Sequence, residues 1–336
     1  MSRWAGDPER AADALIRSCI DEMTLDGRVL LANQAGTLPD LIRSRGLELE
    51  TWNRRSGRVL PATWPNHGPF DAALLRLPRS KDEVEMSLHA LLGALRPDGR
   101  LIVYGGNDEG IRSVGPLLRQ LCGEVDTLAT RGHGRVLAAR RPRHIAGLRD
   151  TLAAWRRQAI ITIAGVERSW VSYPGVFASG RIDEGTALLI SALPALAWKA
   201  RVLDFGCGSG VISATVIAAE PTLMVHMLDN DAVALEAAHE NVPAATHTLG
   251  TRVLDAPGRA YEAILSNPPL HLGSTATNTM LERLIAEAPD LLAPGGVLDI
   301  VVQRRIPLDR IFARHFGTAG VVAENGRYRV WRAKRA

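Results

Sequence analysis

Two stretches of the chain place side by side residues that could do chemistry. In VLDFGCGSGVIS (202–213), Asp204 closes an apolar run and Gly206, Gly208 and Gly210 follow at alternate positions. Alternate glycines let a backbone turn tightly and come close to a ligand. The apolar segment behind them, read as a helix, offers its free N–H groups and positive end to an anion. The dinucleotide spacing G-x-G-x-x-G is not met, since this loop reads G-x-G-x-G. With Asp204 just before it, the loop suits an amino-acid-bearing nucleoside, whose carboxylate and ammonium need both signs of charge nearby. A second acid, Asp229, ends the run MVHMLDND (224–231), 25 residues beyond the first. At the tip of a strand it can accept hydrogen bonds from two ribose hydroxyls. Asp231 suits the N-cap of the helix DAVALEAAHENV.

The other stretch is AILSNPPLHLG (263–273), where an apolar run stops at Asn267 and two prolines follow. Adjacent prolines remove two backbone donors and fix two φ angles, so neither a helix nor a sheet ladder gains from them. A rigid turn is one reading; a catalytic loop held stiff is the other.

These residues need a scaffold, and the chain carries the plan of one twice. EAILSNPP (262–269), a helical stretch, LLAPGGVLDIVV (291–302) and RYRVWRAKR (327–335) make up the second half. DAALLRLP (71–78), a helical stretch, LLGALRPDGRLIVYGG (91–106) and GRVLAARRPR (134–143) make up the first. An Arg-Val-Leu strand opens each half, at 28–30 and 201–203. Strands alternating with helices predict a doubly wound α/β sheet in each. The halves differ where chemistry would sit. After its Arg-Val-Leu strand the first half reads LANQAGTLPDLI, with no acid at the strand end, and Leu77-Pro78-Arg79 stands against Asn267-Pro268-Pro269. The boundary is placed near 150–165, with TLAAWRRQAI as a helical connector, giving domains 1–155 and 156–336.

Bulk properties agree with two folded domains. The 336 residues are 46% hydrophobic and 23% charged, ordinary for globular cores. The apolar run Ala187–Ala200 is broken by Pro194 and is too short to span a bilayer. MSRWAGDPERAADALIRS has acids and no apolar h-region, so no signal peptide is expected and the chain reads as cytoplasmic. Cys19, Cys122 and Cys207 are too far apart for a disulfide framework or a zinc pattern. All but three of the 40 basic residues are arginines. That is compatible with an RNA partner and equally with a GC-rich genome.

YPGVFASGRIDEGTALLI (173–190), VLDFGCGSGVIS (202–213), LDNDAVALEAA (228–238), LSNPPLHLG (265–273) and GRYRVWRA (326–333) resemble class I S-adenosylmethionine-dependent methyltransferases. With GGNDEGIRS (105–113) and the duplicated plan, nearly the whole chain resembles the bacterial rRNA guanine-N2 methyltransferases of the RsmC/RlmG type. The resemblance implies two tandem Rossmann-like methyltransferase domains with seven-stranded, mostly parallel sheets. The N-terminal copy would be degenerate and serve RNA recognition and support. S-adenosyl-L-methionine is the implied cofactor, held by Asp204, Gly206, Cys207, Gly208, Gly210, Asp229, Asn230, Asp255 and Asn267. For the adenine amino group Thr251, Arg252 and Asp255 are all candidates.

The implied reaction is methylation of the exocyclic N2 amine of a guanine in ribosomal RNA, 16S favoured over 23S. The catalytic stretch is Asn267, Pro268, Pro269 and Leu270. Asn267 would accept one N–H through its side-chain oxygen and the Pro268 carbonyl the other, with the prolines holding both. The target base must be unpaired or extruded to reach such a pocket. The family usually has an aromatic at the position of Leu270, so Phe177 and His271 are candidates for contacting the base, with Arg181 beside them. Packing is the alternative for Phe177, an idle loop position for His271, and a plain loop salt bridge for Arg181 and for Asp183, a weaker candidate beside it. The partner is rRNA or a ribosomal subunit, with no metal and no membrane, and an internal duplication makes a monomer plausible. Two rivals are methylation of another planar amine or amide, and a non-catalytic RNA-binding assembly factor.

Overall fold

A computed structural model describes residues 8–34, 36–57, 60–178, 180–268 and 275–336. Pro269, Leu270 and His271 lie outside the described residues. The chain divides into two compact units, Met1–Arg156 and Arg157–Ala336.

In the first unit, in chain order, α1 (Pro8–Arg17) precedes β1 (Arg28–Ala32), α2 (Leu38–Ser44), β2 (Glu48–Trp52) and β3 (Phe70–Arg76). Then come α3 (Lys81–Ala94), β4 (Leu95–Gly106), α4 (Val114–Cys122), β5 (Asp126–Arg131) and β6 (Gly134–Arg140). The strand order is β2-β1-β3-β4-β6-β5, parallel from β2 to β4 and antiparallel beyond. Successive side chains of a strand face opposite ways. Leu30, Ala73, Leu75 and Val103 therefore pack on one layer with α3 and α4. Val29, Leu31, Leu74 and Ile102 pack on the other with α1 and α2. Strands covered on both faces are apolar nearly throughout, as parallel sheets require.

The second unit begins with the hairpin β7 (Arg157–Ile163) and β8 (Val166–Ser172). The residues expected to form a helical connector instead make one 3-10 turn, Leu152–Trp155, and then β7. Period-two patterning decides this: Ile161 and Ile163 are buried while Ile160 is 65% exposed. Next come α5 (Glu184–Ser191), β9 (Arg201–Phe205), α6 (Val211–Ala219), β10 (Met224–Asp229), α7 (Ala232–Asn241) and β11 (Thr246–Leu249). The unit ends with β12 (Tyr261–Ser266), α8 (Thr275–Glu287), β13 (Leu292–Gln303), α9 (Asp309–His315), β14 (Thr318–Glu324) and β15 (Tyr328–Lys334). Its seven strands run β11-β10-β9-β12-β13-β15-β14.

Among the described residues the first unit has six strands, not the seven expected of both copies, because no counterpart of the edge strand β11 is present. Register also corrects the alignment of the halves. Leu31 pairs with Leu74 as Asp204 pairs with Leu265. Two residues on, Arg76 rather than Leu77 stands where Asn267 does. Chain topology turns left from β9 to β10 and right from β9 to β12. The carboxyl ends of β9 and β12 therefore flank a switch point, where open α/β sheets hold ligands.

Candidate functional site at the carboxyl ends of the central strands

Asp204 lies in the last turn of pleat of β9 and is fully buried. Its Oδ2 accepts from the Ser213 N–H at 3.1 Å and the Ser213 hydroxyl at 2.7 Å, which ties β9 to α6. Its Oδ1 is buried with no hydrogen-bond partner among the described residues. Desolvation pushes its carboxyl up to about 7, with the Asp229 charge adding and the two Ser213 bonds opposing. An acceptor in that position fits an ammonium donor brought by a ligand.

The glycine loop closes over this carboxylate. Gly206 has φ 71 and donates its N–H to the Leu228 carbonyl at 2.7 Å. A Cβ there would meet nothing within 4 Å, so its outer side is open to a ligand. Gly210, at φ 96, is required for packing instead: a Cβ would come within 2.8 Å of Met227 and 2.9 Å of Val242. The Gly208 N–H donates to Asp229 Oδ2 at 2.8 Å, and Asp229 Oδ1 accepts from the Asp231 N–H at 3.0 Å. Burial, followed by the neighbouring Asp231 charge, pushes Asp229 up to about 6 against these backbone donors. Asp231 caps α7 through Val233 and Ala234. Cys207 is buried and its thiol is held well above the ordinary range, first by desolvation. Asn230 is exposed at the β10 tip.

A cleft of about 390 Å³ opens beside the loop, lined by Phe205, Thr251, Val253, Met280, Leu284 and Glu287 among others. The turn after β11 forms one wall and α8 the other. Asp255 holds that turn, its Oδ2 accepting from the N–H groups of Thr251 and Arg252 at 2.8 Å each. Arg252 is paired to Glu287 Oε1 at 2.9 and 2.6 Å. Of the three adenine candidates, Thr251 and Arg252 line the cleft, and Asp255 braces the turn from behind.

Ser266 ends β12 and donates its hydroxyl to the Phe205 carbonyl at 2.8 Å, fastening the ends of β12 and β9 together. Asn267 follows, and Pro268 after it is buried. Asn267 Nδ2 donates to Thr186 Oγ1 at 2.8 Å and to the Asp183 oxygens at 3.3 and 3.4 Å.

The second unit matches the family model of the methyltransferase small domain over residues 167–332, and residues 46–142 match that of the methyltransferase small domain N-terminal family. Ribosomal RNA small subunit methyltransferase C of Shewanella loihica is 32% identical over 285 residues, covering 83% of this chain and 80% of that protein. The chain belongs to the ribosomal RNA small subunit methyltransferase C family. The family protein of Shewanella sediminis is likewise 32% identical, over 80% of this chain and 78% of its own. The 16S rRNA N2 methyltransferase RsmC of T. thermophilus, solved in complex with AdoMet and guanosine, shares the fold. It matches with a TM-score of 0.83 and 22% identity, over 98% of this chain and 94% of that one.

Around this family site the remaining expectations fall unevenly. Phe177 is 58% exposed and Arg181 is exposed, on the segment leading into α5. At β15 and just before it, Arg327 pairs with Glu184, Arg329 with Glu324, and Arg332 with the buried Asp299. Thr186 and Glu287 escape a reading by motif. Thr186 is an ordinary helix residue in sequence, three places after a capping acid, and only the fold brings it to Asn267. No helix among the described residues is long and apolar enough to cross a membrane.

Proposed function

We propose that this chain transfers a methyl group from S-adenosylmethionine to the exocyclic N2 amine of a guanine in 16S ribosomal RNA. The observation that carries this reading is the meeting at one switch point of an open glycine loop, a buried unsatisfied carboxylate and Asn267. Family membership supports the substrate.

Asp204 and the loop Gly206–Gly210 would hold the amino-acid end of the cofactor, Asp229 its ribose, and Thr251, Val253 and Met280 its base. When bound, the cofactor supplies an electrophilic methyl on a sulfonium that departs as a neutral thioether. The guanine amine is a poor nucleophile because its lone pair is conjugated with the ring. Asn267 Oδ1 accepts one of its N–H groups and the Pro268 carbonyl the other. Two fixed acceptors favour a pyramidal nitrogen with its lone pair turned toward the methyl, which is catalysis by orientation and preorganised electrostatics. The new N–C bond leaves a cationic nitrogen, which releases its extra proton to water. The first unit serves RNA recognition and support, and the chain works as a cytoplasmic monomer on ribosomal RNA or the small subunit.

Label from the methyl-labelled cofactor, offered small subunits, large subunits, naked rRNA and free protein, is expected in 16S RNA as N2-methylguanine. Asn267→Ala should lower single-turnover transfer by at least about 100-fold, with cofactor affinity nearly unchanged. Normal cofactor binding without label in any RNA overturns the reading, and so does an active Asn267→Ala protein.

A further inference from the structure

The Asn267 amide has two ends that do opposite chemistry. Its oxygen accepts hydrogen bonds and its NH2 donates them. An acceptor is the useful end against an amine N–H; a donor would meet that N–H head on. Something must therefore choose between two orientations of nearly equal shape.

Asp183 and Thr186 make that choice. Nδ2 reaches Thr186 Oγ1 at 2.8 Å and both Asp183 oxygens at 3.3 and 3.4 Å. A hydroxyl alone would tolerate either orientation, since it can donate or accept. An ionised carboxylate only accepts, so turning the amide over would set Oδ1 against it and lose three contacts. Asp183 is itself fixed, because its Oδ1 caps α5 by accepting from the N–H groups of Gly185 at 3.0 Å and Thr186 at 3.3 Å. Thr186 is 7% exposed, and Gly185 beside it backs onto the Tyr328 ring, where a Cβ would lie at 3.4 Å.

We propose that Asp183 and Thr186 are positioning residues that lock the Asn267 amide with its NH2 turned inward, so that Oδ1 is the end offered to the target amine. This rests on the methyl-transfer reading for its consequence, but not for the lock itself. The lock also sets specificity: the site takes a group that brings an N–H and turns away a carbonyl at the same place.

Two variants separate the lock from the fold. Asp183→Asn keeps the helix cap, since asparagine caps as well as aspartate, yet its own amide can present either end to Asn267. Thr186→Val removes the hydroxyl at constant shape, and Thr186→Ser restores it. Side-chain amide NMR of the 15N-asparagine-labelled protein, with the Asn267 signal assigned by its loss in Asn267→Asp, reads the lock directly. Slow exchange of the Nδ2 protons is expected in the wild type and Thr186→Ser, and fast exchange in Asp183→Asn and Thr186→Val. Single-turnover transfer should fall about 10- to 100-fold in the two unlocked variants, with KM for RNA and cofactor affinity within about twofold. Thr186→Ser should recover the rate. Wild-type rates in Asp183→Asn, or Nδ2 exchange the same in all four proteins, overturn the proposal. If the wild type methylates no guanine, the functional reading falls and the exchange measurement still decides the lock.

Discussion

The two units keep one backbone and opposite chemistry. Asn33 N–H donates to the Trp52 carbonyl at 3.0 Å as Gly206 N–H donates to Leu228, and both residues take a left-handed φ, 57 and 71. At matching register Leu31 stands for Asp204, Asn53 for Asp229 and Arg76 for Asn267. The first unit closes what the second leaves open. Asn33 Nδ2 crosses to the Arg76 carbonyl at 3.0 Å, where Gly206 has free space. Arg76 is almost wholly buried and grips Glu109 through two bonds of 2.9 and 2.5 Å. Leucine at 31 also removes the desolvation that lifts Asp204 to about 7. A buried carboxylate weakens a fold unless a partner satisfies it. The second unit therefore retains a feature that packing alone would discard, which is the signature of a site. Alternation of apolar residues is enough to keep the sheet; the polar residues at its carboxyl end are free to drift.

The sharpest way to break that comparison is to install the first unit's plug in the second. Gly206→Asn keeps a residue that tolerates the left-handed region, so the fold should melt within a few degrees of the wild type. Its side chain would fill the open side of the loop, and cofactor affinity by calorimetry should fall at least about 10-fold, the scale of a lost close approach. Affinity within twofold of wild type would mean that the open space at Gly206 has no bearing on binding.

Much of this was legible in the sequence because the decisive signals are local. Asp204 with its alternating glycines, Asp229 at the next tip and Asn267 before two prolines are each set by turn chemistry. The β-α alternation gave both sheets for the same reason. What escaped depends on register or on distance in the chain. Matching Pro78 to Pro268 sets Leu77 against Asn267, one residue off, whereas strand pairing puts Arg76 at Asn267 and Pro78 at Pro269. TLAAWRRQAI (151–160) reads as a helix until the alternation at Ile160, Ile161 and Ile163 is set against an apolar layer below them. Thr186 lies 81 residues from its partner Asn267, and no spacing rule reaches that far.

A smaller effect, in pH, separates the buried acid from its leucine counterpart. Asp204 sits at about 7 when folded, against 3.8 ordinarily. Between those values the unfolded chain has lost the proton and the folded chain keeps it, so the unfolded state binds fewer protons and stability falls as pH rises. The contribution is whole below about pH 4 and is gone above about pH 7. Asp204→Asn should remove this slope in pH-dependent melting of the cofactor-free protein. Cofactor binding should move the other way, since an ammonium needs the ionised acid. Affinity should rise about fivefold from about pH 6 to 7, below the range where an α-amino group loses its own charge. In Asp204→Asn it should be weaker and keep only the smaller pH dependence of Asp229, whose carboxyl sits at about 6. A wild-type affinity independent of pH would detach Asp204 from the ligand.

The mildest consequence for transfer is expected on the other side of the comparison. If the first unit is scaffold, Arg76 acts only through stability. Arg76→Met strands Glu109, whose side chain is 13% exposed and still bound to the Gly106 N–H at 2.7 Å. Breaking one partner of a buried pair costs about 3–5 kcal/mol, so denaturant midpoints should drop clearly. Arg76→Met with Glu109→Gln leaves no buried lone charge, since the other partner of Arg76, Glu9 at 3.3 Å, is half-exposed, and should regain most of the loss, because neutral replacement of a buried pair is often tolerated. In both proteins, assayed well below melting, cofactor affinity and single-turnover transfer should match the wild type. A transfer rate that falls while the fold holds would place Arg76 in the reaction after all, and the two copies would then share a task instead of dividing it.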